Sequence, residues 1–241
     1  MDLKGRRALV TGAGVRVGRV IAETLMRRGV HVAIHYAHSG GGAQDVAAAG
    51  EALGVRTALL AADFTTADAP GGLARRAADA LGGLDILVNS AAIMEMKPIA
   101  DVTPADWART MDLNLRAPFF VAQGAAALMP EHSVIINIAD LAAFELWTSY
   151  AVHCISKAGV VVMTELMAKA FAPKIRVNAI APGAVLLPDD WDDATRKRFA
   201  ETTPLKRLGS PDDVAAAVVY LLENDYVTGE TLVVDGGRSI R

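Results

Sequence analysis

An imidazole and an ammonium stand four residues apart at His153 and Lys157, in the stretch Tyr150-Ala151-Val152-His153-Cys154-Ile155-Ser156-Lys157. On a helix this spacing puts both on one face. The pattern continues Ala158-Gly159-Val160-Val161-Val162-Met163-Thr164-Glu165-Leu166-Met167, apolar nearly all round, so the helix is predicted to be buried. Asp140 directly follows a strand-like run, Ser133-Val134-Ile135-Ile136-Asn137-Ile138-Ala139. A carboxylate at a strand end is thereby placed beside a buried helix that presents two basic groups. Buried ionisable groups are costly unless paired, and such a set can move a proton or polarise an acceptor. The same residues also admit a structural reading, with Asp140 as a cap, His153 as a satisfied core histidine and Lys157 snorkelling to the surface. The three side chains alone do not separate the two.

The elements that must position them begin with a short strand, Ala8-Leu9-Val10, which runs into Thr11-Gly12-Ala13-Gly14-Val15-Arg16-Val17-Gly18 and a helical pattern from Arg19 to Arg28. Strand, glycine turn and helix form a phosphate-binding geometry, because glycine lets the backbone approach the anion and the helix N-terminus supplies unpaired N–H groups. The second strand, Val30-His31-Val32-Ala33-Ile34, leads into His35-Tyr36-Ala37-His38-Ser39. In a dinucleotide fold this strand end meets the adenosine ribose, where an acid would select NAD. The stretch has no acid, and Arg16 adds a cation nearby, so NADP(H) is the expected cofactor. Gly40-Gly41-Gly42 reads as a flexible connection, followed by a helix over about 43–53. A strand over 56–62 closes at Asp63-Phe64, where a polar side chain could meet the adenine amino group.

Helix 70–81 and a strand over 84–88 follow, ending in Asn89-Ser90-Ala91-Ala92, small residues that admit a ligand close to the backbone. Thr103-Pro104 starts a long helix carrying Asn114. The sixth strand, 174–181, turns at Pro182-Gly183. Residues 184–209 read as a loop-rich insertion containing Val185, Leu186 and Trp191, and an insertion of this length at a strand's carboxyl end suggests a substrate lid. Helix 211–223 and strand 231–234 close the chain. The predicted fold is α/β, a single doubly wound Rossmann-type domain over 1–241 with a central parallel sheet of about seven strands and helices on both faces.

Composition fits this class: 52% of the 241 residues are hydrophobic and 5% aromatic, as in a parallel sheet wrapped in helices. A net charge of −3 with both signs interspersed points to no nucleic-acid groove and no polybasic membrane patch. The single Cys154 forms no internal disulfide, which is compatible with a reducing compartment. The first residues enter a strand without a signal-peptide run, and no uninterrupted apolar run is long enough to span a bilayer, so a cytoplasmic location is expected. No metal site is expected.

From end to end the chain resembles the short-chain dehydrogenase/reductase family. The matching stretches are Thr11–Gly18, Asn89–Ala92, Asn114, Asn137–Asp140, Ser156-Lys157-Ala158-Gly159, Arg176-Val177-Asn178, Pro182-Gly183 and Thr228-Gly229 with Val234-Asp235-Gly236-Gly237. The resemblance implies a nicotinamide cofactor, a small-molecule substrate, and a homotetramer or homodimer built on the long helices. The family's second glycine of the turn is Arg16 here, and its catalytic serine is Asp140; both departures are similar to the pteridine reductase branch, as is the His-Tyr-x-x-Ser strand end. Two further departures leave that branch. His153 stands where the family has its catalytic tyrosine, with Tyr150 outside the spacing, and Met94 stands where the branch has a pterin-stacking ring.

The implied site is catalytic Asp140, His153, Lys157 and Asn114. Expected cofactor contacts are Gly12, Arg16, Val17, Gly18, His35, Tyr36, His38, Ser39, Asp63, Phe64, Asn89, Ser90, Ala91, Lys157, Pro182, Gly183 and Val185, with Met94, Tyr150, Leu186 and Trp191 facing the substrate. The implied activity is NADPH-dependent hydride transfer to a C=N or C=O group, with a pterin as one candidate. The alternatives are a carbonyl or 3-oxoacyl reductase, and an NADP-binding sensor or partner protein with impaired catalysis.

Overall fold

The computed structural model describes residues 1–66, 69–187 and 192–240. Seven parallel strands form one sheet in the order β3-β2-β1-β4-β5-β6-β7. They are β1 (Arg7–Val10), β2 (His31–Tyr36), β3 (Thr57–Ala61), β4 (Ile86–Asn89), β5 (Ser133–Ile138), β6 (Ile175–Pro182) and β7 (Thr231–Val234). The order reverses between β1 and β4, and a parallel sheet leaves a crevice for ligands at the carboxyl ends of its strands at such a point. The doubly wound Rossmann-type arrangement is therefore the one the alternating pattern predicts.

Helices cover both faces, which is why β4 and β5 are buried along their whole length. On one face α1 (Arg16–Arg27), α2 (Gly40–Ala52) and α9 (Pro211–Glu223) pack with Ile21, Leu25, Val46, Val218 and Leu222 into a core with Val10, Ile34 and Ile136. On the other, α3 (Ala69–Leu81), α5 (Ala117–Ala126) and α7 (Ala151–Phe171) contribute Leu73, Val121 and Met163 to a second core with Leu9, Leu87 and Val177.

Local chemistry sets several boundaries. Helix α4 (Pro104–Met111) starts at a capping box in which Thr103 and Asp106 satisfy each other's backbone N–H groups, with Pro104 in the first turn. Ser210 and Asp213 do the same for α9. Between α4 and α5 the helix widens into a π turn, Asp112–Arg116, which carries the buried Asn114. Such a turn inserts a residue into the helical ladder and re-aims the side chains around it.

Two expectations are corrected. Gly40-Gly41-Gly42 is the first turn of α2 and no flexible connection. A Cβ on Gly42 would lie 2.2 Å from the carbonyl oxygen of Gly14, so glycine serves close backbone approach between α2 and the first glycine turn. The 184–209 insertion contains α8 (Asp193–Thr202), capped by Asp192 accepting from Thr195 N–H at 2.7 Å. No residue of α8 is buried, so its sequence lacks the apolar period that announces a helix. By length and mean hydropathy α7 is long and apolar enough to cross a bilayer, which the reading for uninterrupted apolar runs passed over; it packs instead against β6 and α6 (Ala142–Glu145).

Candidate active site

The glycine turn is compressed between neighbouring backbones. Gly12 has φ +67°, and a Cβ there would come within 2.9 Å of Ala91 Cα. A Cβ on Gly18 would lie 2.4 Å from the Gly12 carbonyl oxygen. Thr11 Oγ1 accepts from Ser90 N–H at 2.9 Å and Ala91 N–H at 3.1 Å, tying the turn to the end of β4. The N-cap of α1, Val15, offers no side-chain acceptor, and the first turn has no acid. The amino end of α1 is thus left with unpaired N–H groups in a narrow cradle, the arrangement that suits a dinucleotide pyrophosphate.

Arg16 and Val17 begin α1. Arg16 has φ +54°, is exposed, and has no partner among the described residues. A left-handed conformation is strained for a long side chain, and holding one there is a pointer to function. Ser39 occupies the N-cap position of α2 without a capping side-chain bond and lies against the same turn, for a Cβ on Gly14 would meet Ser39 Oγ at 2.5 Å. Tyr36 is half-buried at the end of β2, and exposed His38 reaches Asp63 Oδ2 at 3.8 Å.

Three residues read from the sequence as cofactor contacts have side chains buried behind this cradle. His35 is buried; its Nδ1 accepts from Gly12 N–H at 3.2 Å and its Nε2–H donates to the Ala62 carbonyl at 3.0 Å. Phe64 is buried and stacks on the His35 ring, with centroids 4.3 Å apart. Asn89 is buried and donates to Asn137 Oδ1 at 2.9 Å, and Asn137 donates to Thr164 Oγ1 at 3.0 Å, joining β4, β5 and α7. All three support the turns that face the crevice. Burial pushes the His35 imidazole down to about 4, only partly offset by its bond to Ala62. Asp63 accepts from Thr65 N–H at 2.9 Å and Thr65 Oγ1 at 2.7 Å, and these bonds hold its carboxyl below the usual range.

At the carboxyl ends of β4 and β5 the structure gathers Asn114, Asp140, His153 and Lys157. Asn114 Oδ1 accepts from Ile93 N–H at 2.9 Å. Its two amide hydrogens go to the Ile93 carbonyl at 2.9 Å and Ser156 Oγ at 3.1 Å. Ser156 Oγ donates in turn to the His153 carbonyl at 2.7 Å. Asn114 therefore has no hydrogen left for His153 Nδ1, which lies 3.4 Å away. Nδ1 carries its own hydrogen and donates to the Ile93 carbonyl at 3.1 Å. The opposite ring atom, Nε2, is buried, has no hydrogen-bond partner, and lies 3.5 Å from Asp140 Oδ2. Asp140 Oδ1 accepts from Ala142 N–H at 2.8 Å. Lys157 donates to the Ile138 carbonyl at 2.7 Å; burial lowers it to about 8, with Asp140 working the other way. An imidazole, a carboxylate and a depressed ammonium thus share one partly closed site, a set suited to proton transfer.

Pro182 ends β6, Gly183 and Val185 follow it, and Gly183 N–H bonds the Val234 carbonyl at 3.0 Å. Met94 and Leu186 are exposed, and Tyr150 is half-buried at the N-cap of α7. A backbone bond from Lys97 N–H to the Ser149 carbonyl at 2.8 Å joins the Met94 loop to the Tyr150 loop. Trp191 lies outside the described residues. The sequence reading missed Ile93, whose contribution is backbone and leaves no side-chain signal. It also missed Trp147, set edge-on to Tyr150 with centroids 6.2 Å apart and donating to Glu145 Oε2 at 2.8 Å; an aromatic between a β5-end carboxylate and the histidine helix was the signal available.

Residues 12–239 match the protein-family profile described as enoyl-(acyl carrier protein) reductase. L-rhamnose 1-dehydrogenase (NAD(P)(+)) of a Sphingomonas species is 34% identical over 98% of this chain and 96% of its own length. A blue fluorescent protein from a metagenomic library, crystallised with NADPH, superposes with a TM-score of 0.92 at 32% identity, covering 99% of both chains. FolM alternative dihydrofolate reductase 1 from Brucella canis, complexed with NADP, superposes with a TM-score of 0.93 at 29% identity, covering 100% of this chain and 96% of its own.

The buried His35 has a consequence for stability. Unfolded, it takes up a proton near its ordinary value of 6.5; folded, it refuses one until about 4. The unfolded chain binds the extra proton across that window, so stability falls as pH drops through it. The urea midpoint of the cofactor-free protein is expected to decline more steeply from pH 7 to pH 4.5 in the wild type than in His35→Asn. Parallel declines would contradict this role.

Proposed function

The chain belongs to the short-chain dehydrogenase/reductase family, and from that membership we propose that it is an NADPH-dependent reductase acting on a C=N or C=O group, with a pterin as the preferred acceptor class. NADPH supplies a hydride when bound. Gly12, Gly18 and the amino end of α1 would hold its pyrophosphate, and Arg16 with Ser39 its 2′-phosphate. Lys157 would hold the nicotinamide ribose, while Asp140 and His153 handle the proton. The observation that carries this reading is the pairing of His153 Nε2 with Asp140 Oδ2 at 3.5 Å beside buried Lys157. An impaired sensor would have little reason to keep three costly ionisable groups together.

The pterin assignment rests on Arg16, Asp140 and the His35-Tyr36-Ala37-His38-Ser39 strand end, and the dihydrofolate reductase neighbour supports it. Exposed Met94, where a ring would stack, favours the second reading, reduction of ketones or acyl thioesters. We also assign self-association to the outer faces of α5 and α7, where Phe119, Phe120, Ile155, Val162 and Leu166 are exposed.

Arg16 gives the cofactor test. A glycine at its positive φ relieves strain of about 1 kcal/mol, while a lost charge-assisted contact to phosphate costs about tenfold or more in affinity. Arg16→Gly is therefore expected to raise Tm and weaken NADPH, leaving NADH little changed. Equal weakening of both cofactors would remove Arg16 from the 2′-phosphate. For the substrate, NADPH oxidation is expected with dihydrobiopterin or dihydrofolate above that with simple ketones. Turnover of ketones alone would reject the pterin class and leave the cofactor assignment standing.

A further inference from the structure

Reduction of a C=N or C=O group needs a proton as well as a hydride, and the pairing of Asp140 with His153 leaves two candidates for the group that touches the acceptor. We propose that Asp140 delivers the proton to the substrate, and that His153 is a positioning residue that holds a proton behind Asp140 without touching the substrate. The inference rests on the reductase reading and adds to it the direction in which the proton travels.

The geometry of the ring carries the argument. Because Nδ1–H is committed to the Ile93 carbonyl at 3.1 Å, Nε2 is the one ring atom left to exchange a proton. That atom is buried without a hydrogen-bond partner and faces Asp140 Oδ2 at 3.5 Å. The side chain of His153 is 3% exposed and that of Asp140 24%, so a substrate entering from the open side meets the carboxylate first. Two other acidic groups nearby are engaged elsewhere. Lys157 donates to the Ile138 carbonyl at 2.7 Å, and Cys154 Sγ to the Trp147 carbonyl at 3.5 Å.

A neutral ring with its hydrogen on Nδ1 would turn the Nε2 lone pair toward a carboxylate. A charged ring turns an N–H there instead and satisfies the orphaned atom. In the step that follows, the acceptor carbon takes the hydride with its electron pair, and the π electrons of the C=O or C=N bond move to the heteroatom. Asp140 takes the Nε2 proton and passes it to the heteroatom, leaving a carboxylate and a neutral imidazole. One proton from water, entering through partly exposed Asp140, restores the imidazolium. Each turnover consumes one hydride from the reduced nicotinamide and one proton from water.

Two readouts test this, one without turnover. Diethyl pyrocarbonate labelling, mapped by mass spectrometry, is expected to modify exposed His38 and His132 and to spare His153 in the wild type. In Asp140→Ala, His153 is expected to become reactive. Labelling of wild-type His153 as fast as His38 would show an open Nε2 and overturn the proposal. In turnover, Asp140→Asn is expected to lower kcat by about 10²–10⁴-fold with NADPH affinity retained, because the general acid is lost and the cofactor cradle is not. Formate or acetate should restore activity to Asp140→Ala. Near wild-type kcat in Asp140→Asn, with His153→Ala inactive, would make His153 the direct donor and sink the proposal. If the wild type oxidises no NADPH with pterins, ketones or quinones, the reductase reading fails, while the labelling still decides whether Asp140 screens Nε2.

Discussion

Asn114 has two amide hydrogens, and both are spent on Ile93 and Ser156. This exhaustion of donors is the constraint on which the site depends. It leaves His153 Nδ1 no hydrogen to accept, so the ring must supply its own to the Ile93 carbonyl. Once that end is fixed, the other end has one direction available, toward Asp140. The π turn at Asp112–Arg116 belongs to the same constraint, because it places buried Asn114 against both the Ile93 loop and α7. A hydrogen-bond network filled this completely sets a tautomer more firmly than any single contact could.

The cofactor end is built on a comparable use of a buried imidazole. His35 accepts from the glycine turn and donates to the end of β3, and it can do both only as the neutral ring. Its burial keeps it so. The two histidines therefore do opposite work with the same chemistry. His35 is held neutral to brace a turn, while His153 is arranged so that its free nitrogen faces a carboxylate. Arg16 adds the strain expected of a functional position, since glycine would take its conformation without cost.

Much of this was legible in the chain. Alternating apolar runs and glycine turns fix a doubly wound parallel sheet, and the capping residues Thr103 and Ser210 mark helix starts that the structure places at Pro104 and Pro211. The helical spacing of His153 and Lys157 and the strand end at Asp140 were enough to bring the three together. What was hidden depends on three-dimensional contact. Gly42 looked like slack chain because nothing in its sequence shows that the Gly14 carbonyl will sit against it. The inward packing of His35 and Phe64 was hidden because a strand end does not declare which side chains turn inward. The carbonyl of Ile93, which decides the state of His153, has no signature at all, since every residue but its position would read the same.

The protonation of the His153 ring tests the account most directly. Nitrogen-15 NMR of histidine-labelled protein, with the His153 signals assigned by comparison with His153→Asn, reports each ring nitrogen separately. The account predicts a hydrogen on Nδ1, held by the Ile93 carbonyl, in the wild type and in Asp140→Asn alike. A neutral ring carrying its hydrogen on Nε2, with Nδ1 bare, would contradict it.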